Sequence, residues 1–398
     1  MSEDTDLIIR IAARGDGVTA DGRHAQFAAP GDRLDGAGLV HPGPHHQQPP
    51  CRHFPECGGC QLQHVDDDAY RAYLTDRVAG ALDGAGVAQS VILPPHLSPP
   101  RTRRRASLRA ERVGKRVAIG FNAGGSHRIV DMRECHVLSP RLFALVDPLR
   151  RLLAPLLPPR RTATITMTLC DQGVDLALAG VSVEGLAAAE SLTDFAAAQQ
   201  LARLSVDEGY GAESRWEPRP ATVTLGGVAV ALPPGAFLQA TGDGEAALVE
   251  GVLQATEGAE RTADLFAGLG TFALALPGRV LAAEAARDAV LALKGAAGRA
   301  GRHLAVDHRD LYRRPLTSAE LSSFDAAVID PPRAGAREQV EQLAAADVAR
   351  LAYVSCNPAT FARDAAILVA GGWRLHWVRP VGQFRWSTHI ELVAAFAR

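Results

Sequence analysis

Two turns in the last third of the chain carry side chains able to make and break bonds. In Tyr353-Val-Ser-Cys-Asn-Pro358 an apolar strand runs into a turn fixed by Pro358, with the thiol of Cys356 just past the strand end. Helix N-termini lower thiol pKa values and raise the thiolate fraction, which makes Cys356 a candidate nucleophile. Cys170, in an alternating strand, reads instead as a small buried hydrophobe. In Val328-Ile-Asp-Pro-Pro-Arg-Ala-Gly335 a second apolar strand delivers Asp330 at its carboxyl end, and two prolines stop the chain from closing straight into a helix. Ligands of open α/β sheets sit off that edge. Near the C-terminus, His389-Ile-Glu391 places a carboxylate on the last strand. Glu391 there is either a base or one half of a surface ion pair, and spacing alone leaves both open.

A third turn, Asp264-Leu-Phe-Ala-Gly-Leu-Gly270, follows another strand, and its glycines let the backbone approach a ligand. The next strand ends in Glu284, where a carboxylate can bind ribose hydroxyls. The pair points to a nucleoside-type cofactor. The turn has neither Gly-x-Gly-x-x-Gly nor Gly-Lys-Ser/Thr. With no phosphate to cradle, S-adenosylmethionine fits it better than NAD or ATP.

Four of the six cysteines form a separate constellation, Cys51-x5-Cys57-x2-Cys60 with a remote Cys135. Four thiolates can hold zinc or a [4Fe–4S] cluster, and the spacing permits both. A disulfide framework is not expected in a large chain that opens acidic and lacks the layout of a signal peptide. Between these cysteines, residues 101–116 hold eight basic side chains (Arg101, Arg103, Arg104, Arg105, Arg109, Arg112, Lys115 and Arg116) against one acid, Glu111. The net charge of the whole chain is only −2, so bulk charge does not announce a nucleic-acid binder. The basic run is either a solvated strand face or a set of phosphate contacts.

These residues need elements to position them, and 398 residues suffice for two or three domains. Residues 7–39 alternate apolar and polar between glycine turns, as a small antiparallel β-barrel does. A Pro/His/Gln linker follows, then helical spacing over Asp66–Leu82. Residues 101–232 read as mainly β with one helix, near Glu184–Ala198. From Gly244 strands and helices alternate, including a short helix after the glycine turn, and two final strands have no helix between them. Repeated βα units imply a parallel doubly wound sheet with one antiparallel strand at the end. The expected class is α/β, divided at 1–45, 51–235 and 236–398. No apolar run is long enough to span a bilayer, so a cytoplasmic protein without a membrane partner is expected.

The chain resembles the S-adenosylmethionine-dependent RNA uracil-C5 methyltransferases, which form 5-methyluridine. The resemblance rests on Phe237-Leu-Gln239, Asp264–Gly270, Asp330–Gly335, Ser355-Cys-Asn-Pro358 and Thr388-His-Ile-Glu391, in the family's order. Cys51–His64 and Gly124–Asp131 with Cys135 resemble its iron–sulfur branch, and residues 1–45 resemble its OB-like TRAM barrel. The resemblance implies a C-terminal class I, Rossmann-like methyltransferase domain. It implies Cys356 as nucleophile and Glu391 as general base. Gln239, Phe266, Thr271, Glu284, Asp310 and Asp330 become cofactor contacts, and Cys51, Cys57, Cys60 and Cys135 become ligands of a [4Fe–4S] cluster. It further implies a monomer acting on RNA, with large-subunit (23S) ribosomal RNA ahead of transfer RNA. A non-catalytic RNA-binding or ribosome-assembly factor is the rival reading, and the intact thiol, carboxylate and cofactor set argues against it. Two positions depart from the family: Ala267 stands where cysteine is frequent and Thr241 where asparagine is.

Overall fold

The computed structural model describes residues 5–88, 91–114, 116–158 and 161–398; Lys115 of the basic run lies outside them. The larger of its two main sheets has the order Leu304–His308, Arg279–Glu284, Arg261–Leu265, Ala326–Ile329, Arg350–Ser355, Glu391–Ala397, Arg374–Gly382 and Val91–Ile92. The first five strands pair in parallel. Glu391–Ala397 enters antiparallel between its two neighbours, as the missing last helix predicts. Ala326–Ile329 is buried at every residue, as expected of a strand covered by helices on both faces. Strand order reverses between Arg261–Leu265 and Ala326–Ile329, which opens a crevice at their carboxyl ends.

Residues 67–97, grouped by composition with the central segment, contribute to this larger sheet. The helix Asp67–Gly84 starts where Asp66 accepts the Ala69 amide at 2.8 Å, and it buries Tyr70, Leu74 and Val78 in the same core as Phe361 and Leu368. Val91–Ile92 and His96–Leu97 then pair with Arg374–Gly382.

The second sheet has the order Ala212–Trp216, Arg203–Asp207, Gly173–Ala179, Thr162–Cys170, Arg105–Val113 and Arg116–Gly120. Its inner face is covered by Val146–Leu156, a helix absent from the sequence reading together with the one-turn Pro140–Phe143. Pro155 within the segment masks a helical spacing that Leu149, Leu152, Leu153 and Leu156 do have. The edge strand Leu304–His308 is also missing from that reading, because it is only partly buried and has no continuous apolar run. After the glycine turn the expected short helix is a succession of turns. Gly268 and Gly270 sit at φ +56° and +92°, which a right-handed helix excludes. At the N-terminus, the strands form two small antiparallel sheets bridged at Leu7–Arg33, without a continuous barrel ladder among the described residues.

Candidate active site

At the carboxyl edge of the larger sheet lies a cavity of about 990 Å³. Cys356, Glu391, Gln239, Phe266, Thr271, Glu284, Asp310 and Asp330 all line it. Residues spread over more than 150 positions thus meet because neighbouring strands end at one edge.

Glu391 opens the antiparallel strand opposite Val381 and is 6% exposed. Burial and the charge of Asp330 push its carboxyl up to about 8, while Gln383 and Arg333 oppose the rise. The surface ion pair considered from sequence is therefore excluded by position. Asp330 is itself pushed up to about 7 by burial.

Cys356 corrects one expectation. Its turn does precede the helix Pro358–Ala370, yet the thiol is pushed up to about 11. Burial and the negative charges of Glu391 and Asp330 outweigh the helix terminus, and the Arg333 cation pulls the other way. Arg333 also approaches His389 Nδ1 at 3.4 Å, and burial together with Arg333 and Arg103 lowers that imidazole.

The cofactor candidates surround the glycine turn. Phe266 adopts the left-handed φ of +63°, and its ring lies 5.4 Å from that of Tyr312. Glu284 accepts the Gly268 amide at 2.8 Å and the Ala286 amide at 2.7 Å, so it ties the turn to the start of the next helix. Asp310 accepts the Tyr312 amide at 3.0 Å. Gln239 is 4% exposed and accepts a 2.7 Å hydrogen bond from Gln383. Asp264, the acid that feeds the turn, is fully buried and neither of its oxygens closes a hydrogen bond of normal geometry. Burial and Asp330 push it well above the carboxylate range. Sequence reasoning missed Gln383, for which there is no motif, and Arg333, for which its place in Asp330-Pro-Pro-Arg333 was the available signal.

Cys51, Cys57, Cys60 and Cys135 line a second, smaller cavity, and all four are free thiols. Burial raises each of them, Cys60 to about 12, and the charges of Cys51, Cys57 and Cys135 add to the rise at Cys60. As the chain stands, no three His, Cys, Asp or Glu among the described residues are arranged to hold a metal ion. The cysteine segment also forms one wall of the catalytic cavity through Gly58, Gly59 and Gln61. Gln61 and Leu62 amides donate to the Trp386 carbonyl at 2.8 and 2.9 Å, bracing the loop that leads into Glu391.

The basic run divides. Arg104 turns inward to Glu245 and the Gln239 carbonyl, and Arg103 lies between the rings of Phe121 and Phe384 at the cavity wall. Arg101, Arg109 and Arg116 are exposed. Arg105, partly buried, stacks 5.3 Å from the exposed ring of Phe237 at the cavity rim.

A doubly wound sheet with this cavity at its switch point is the class I methyltransferase architecture. A crystal structure of the Pyrococcus abyssi tRNA (uracil-54, C5)-methyltransferase with S-adenosyl-L-homocysteine superposes with a TM-score of 0.76, 21% identity and full coverage of both chains. The family model of tRNA (uracil-5-)-methyltransferases matches residues 303–397. An uncharacterised RNA methyltransferase of Zymomonas mobilis is 52% identical across 98% of this chain and 99% of its own. The 23S rRNA (uracil(1939)-C(5))-methyltransferase RlmD of Shewanella frigidimarina is 31% identical across 88% of this chain and 82% of its own. The chain belongs to the RNA uracil-C5 methyltransferase family and is an RNA methyltransferase.

Proposed function

We propose that this protein methylates C5 of a uridine in large-subunit ribosomal RNA, with Cys356 as nucleophile and Glu391 as base. The observation that carries the reading is the meeting of a thiol with a buried carboxyl of pKa about 8 in one cavity. Uracil C5 is a poor nucleophile until a thiolate adds at C6 and converts the ring to an enolate. S-adenosylmethionine, when bound, supplies an electrophilic methyl group. Cys356 forms the bond to C6, and Glu391 removes the C5 proton so that the thiolate leaves by elimination. Arg333 faces Cys356 and favours its ionised form. The target base must leave its stack to enter the cavity. Gln239, Phe266, Thr271, Glu284, Asp310 and Asp330 hold the methyl donor in this reading.

Four free thiols around the walls of one cavity suit either zinc or a [4Fe–4S] cluster. The resemblance to the family's iron–sulfur branch favours the cluster, which Cys51, Cys57, Cys60 and Cys135 would hold. A cluster held there would tie residues 51–60 to Cys135 and brace the wall they build. Residues 1–45 act as a TRAM-like RNA-binding module, 51–235 as a central RNA-binding domain, and 236–398 carry the chemistry, in a monomeric cytoplasmic enzyme. No helix among the described residues is long and apolar enough to cross a membrane.

The similarity to RlmD favours ribosomal RNA, and the fold neighbour acting on tRNA keeps transfer RNA as the second reading. Mapping 5-methyluridine in total RNA from a deletion strain decides between them. Loss of one residue in large-subunit RNA is expected, and loss confined to tRNA would overturn the target assignment.

A further inference from the structure

Gln383 lies just past the end of the strand Arg374–Gly382, diagonal to Glu391 across the ladder, and is 2% exposed. Its Oε1 accepts the backbone amide of Ala240 at 2.9 Å. A backbone N–H can only donate, so this bond fixes which end of the Gln383 amide is oxygen. Its Nε2 must then donate, and it does so to Gln239 Oε1 at 2.7 Å. That bond in turn orients Gln239, whose carbonyl oxygen is turned to Gln383 and whose N–H pair is left for the cavity it lines. Gln383 also stands diagonal to Glu391 across the ladder, and its side chain opposes the rise of that carboxyl, favouring its ionised form.

We propose that Gln383 is a positioning residue that sets Gln239 as a hydrogen-bond donor toward the ligand while steadying Glu391 as base. The group Gln239 holds is then an acceptor, either a carboxylate of the methyl donor or a carbonyl oxygen of the target base. This inference rests on the uracil-methylating reading for the role of Glu391, but the hydrogen-bond polarity stands on the geometry alone. Besides Gln383, the charged or titratable groups facing Glu391 are Asp330 from the strand end beyond Arg350–Ser355, Arg333 from the turn after it, and the Cys356 thiol.

Two substitutions separate this role from simple packing. Gln383→Met keeps length and volume but loses every hydrogen bond. Gln383→Glu keeps an acceptor for Ala240 but sets a second acceptor against Gln239 Oε1, so that Gln239 turns its carbonyl to the cavity. The full-length protein is titrated while the Glu391 carboxyl is followed by carbon NMR, assigned through Glu391→Gln. Its midpoint is expected to move up by about half a pH unit in Gln383→Met and further in Gln383→Glu, where a carboxylate is added beside it. Binding of S-adenosyl-L-homocysteine and of a uridine-containing RNA is measured separately by calorimetry. Gln383→Glu is expected to weaken one of them by about tenfold, and the arm that weakens names the acceptor. An unmoved midpoint with both affinities intact would overturn the proposal, whatever happens to turnover. If the midpoint moves but no RNA is methylated by wild-type protein, the positioning role survives and the uracil-methylating reading fails.

Discussion

In the catalytic cavity burial lifts Asp330 to about 7 and Glu391 to about 8, and in the cysteine pocket it lifts Cys60 to about 12 and raises three further thiols. The two regions bury acids alike but build them differently. The carboxyls stand at the ends of the two strands that flank Arg350–Ser355, fixed by a continuous ladder and helices on both faces. The thiols stand on loops held by single bridges such as Cys57–Ala123. A rigid sheet edge can keep acids close together against their mutual repulsion and use the raised basicity in a reaction. In the loop-built pocket the raised thiols stay protonated unless a bound cation displaces their protons. Desolvation thus raises the basicity of groups in both regions, and in the pocket any metal bound there must compete with protons.

The largest expected effect falls on the chemistry. Cys356→Ala is expected to reduce methyl transfer below detection while leaving S-adenosylmethionine binding within about twofold, because the thiol bonds to the base. Wild-type protein should also form a denaturation-resistant adduct with 5-fluorouridine RNA, in which fluorine blocks proton removal. Residual methylation by the alanine variant would remove Cys356 as nucleophile.

Cys135→Ser sharpens the other side of the comparison. Protein prepared without oxygen should be brown with about four irons. The serine variant should be colourless and melt several degrees lower, because the lost ligand joins distant segments. Stoichiometric zinc and no visible absorbance in the wild type would contradict the cluster.

Stability should move the opposite way in the catalytic cavity. Asp330 and Glu391 have folded pKa values above their ordinary ones of 3.8 and 4.5. Their favourable contribution is therefore complete below about pH 4 and is lost as pH rises through 7 to 8. Glu391→Gln should raise stability at pH 8 by on the order of a few kcal/mol at most, read as a higher melting temperature, and leave it unchanged at pH 4. Equal melting curves at both pH values would show that the burial of this carboxyl carries no cost. The smallest effect concerns Arg105, which faces the cavity rim over Phe237. Arg105→Ala is expected to weaken RNA binding by a few fold and to flatten its salt dependence by about one ion, read by binding at several salt concentrations.

What the sequence revealed follows the same division. Apolar runs ended by Asp330, Cys356 and Glu284 mark strand ends, and alternating βα units bring those ends to one edge, so these three were legible from the residues. Gln239, Phe266, Thr271 and Asp310 came through the family resemblance, and Arg333 was missed. The electrostatics of the cavity were not legible. The turn of Cys356 suggests a lowered thiol pKa, but the opposing carboxylates come from strands distant in the chain. Gln383 was invisible because its role depends on a backbone amide more than 140 residues away. The four cysteines were legible by spacing, whereas the bracing of the Glu391 loop by Gln61 and Leu62 runs through backbone atoms that no motif records.

The central claim, that Glu391 is the base acting after methyl transfer, is tested most directly with Glu391→Gln, natural unfluorinated RNA and S-adenosylmethionine labelled in its methyl group. The variant keeps the thiol, the cofactor contacts and the RNA surfaces, so only the last step should stall. A denaturing gel should then show label running with the protein, as a covalent RNA–protein adduct that already carries the methyl group. Normal turnover, or an inactive variant that retains no label, would contradict the assignment and turn attention to His389 at the same cavity wall.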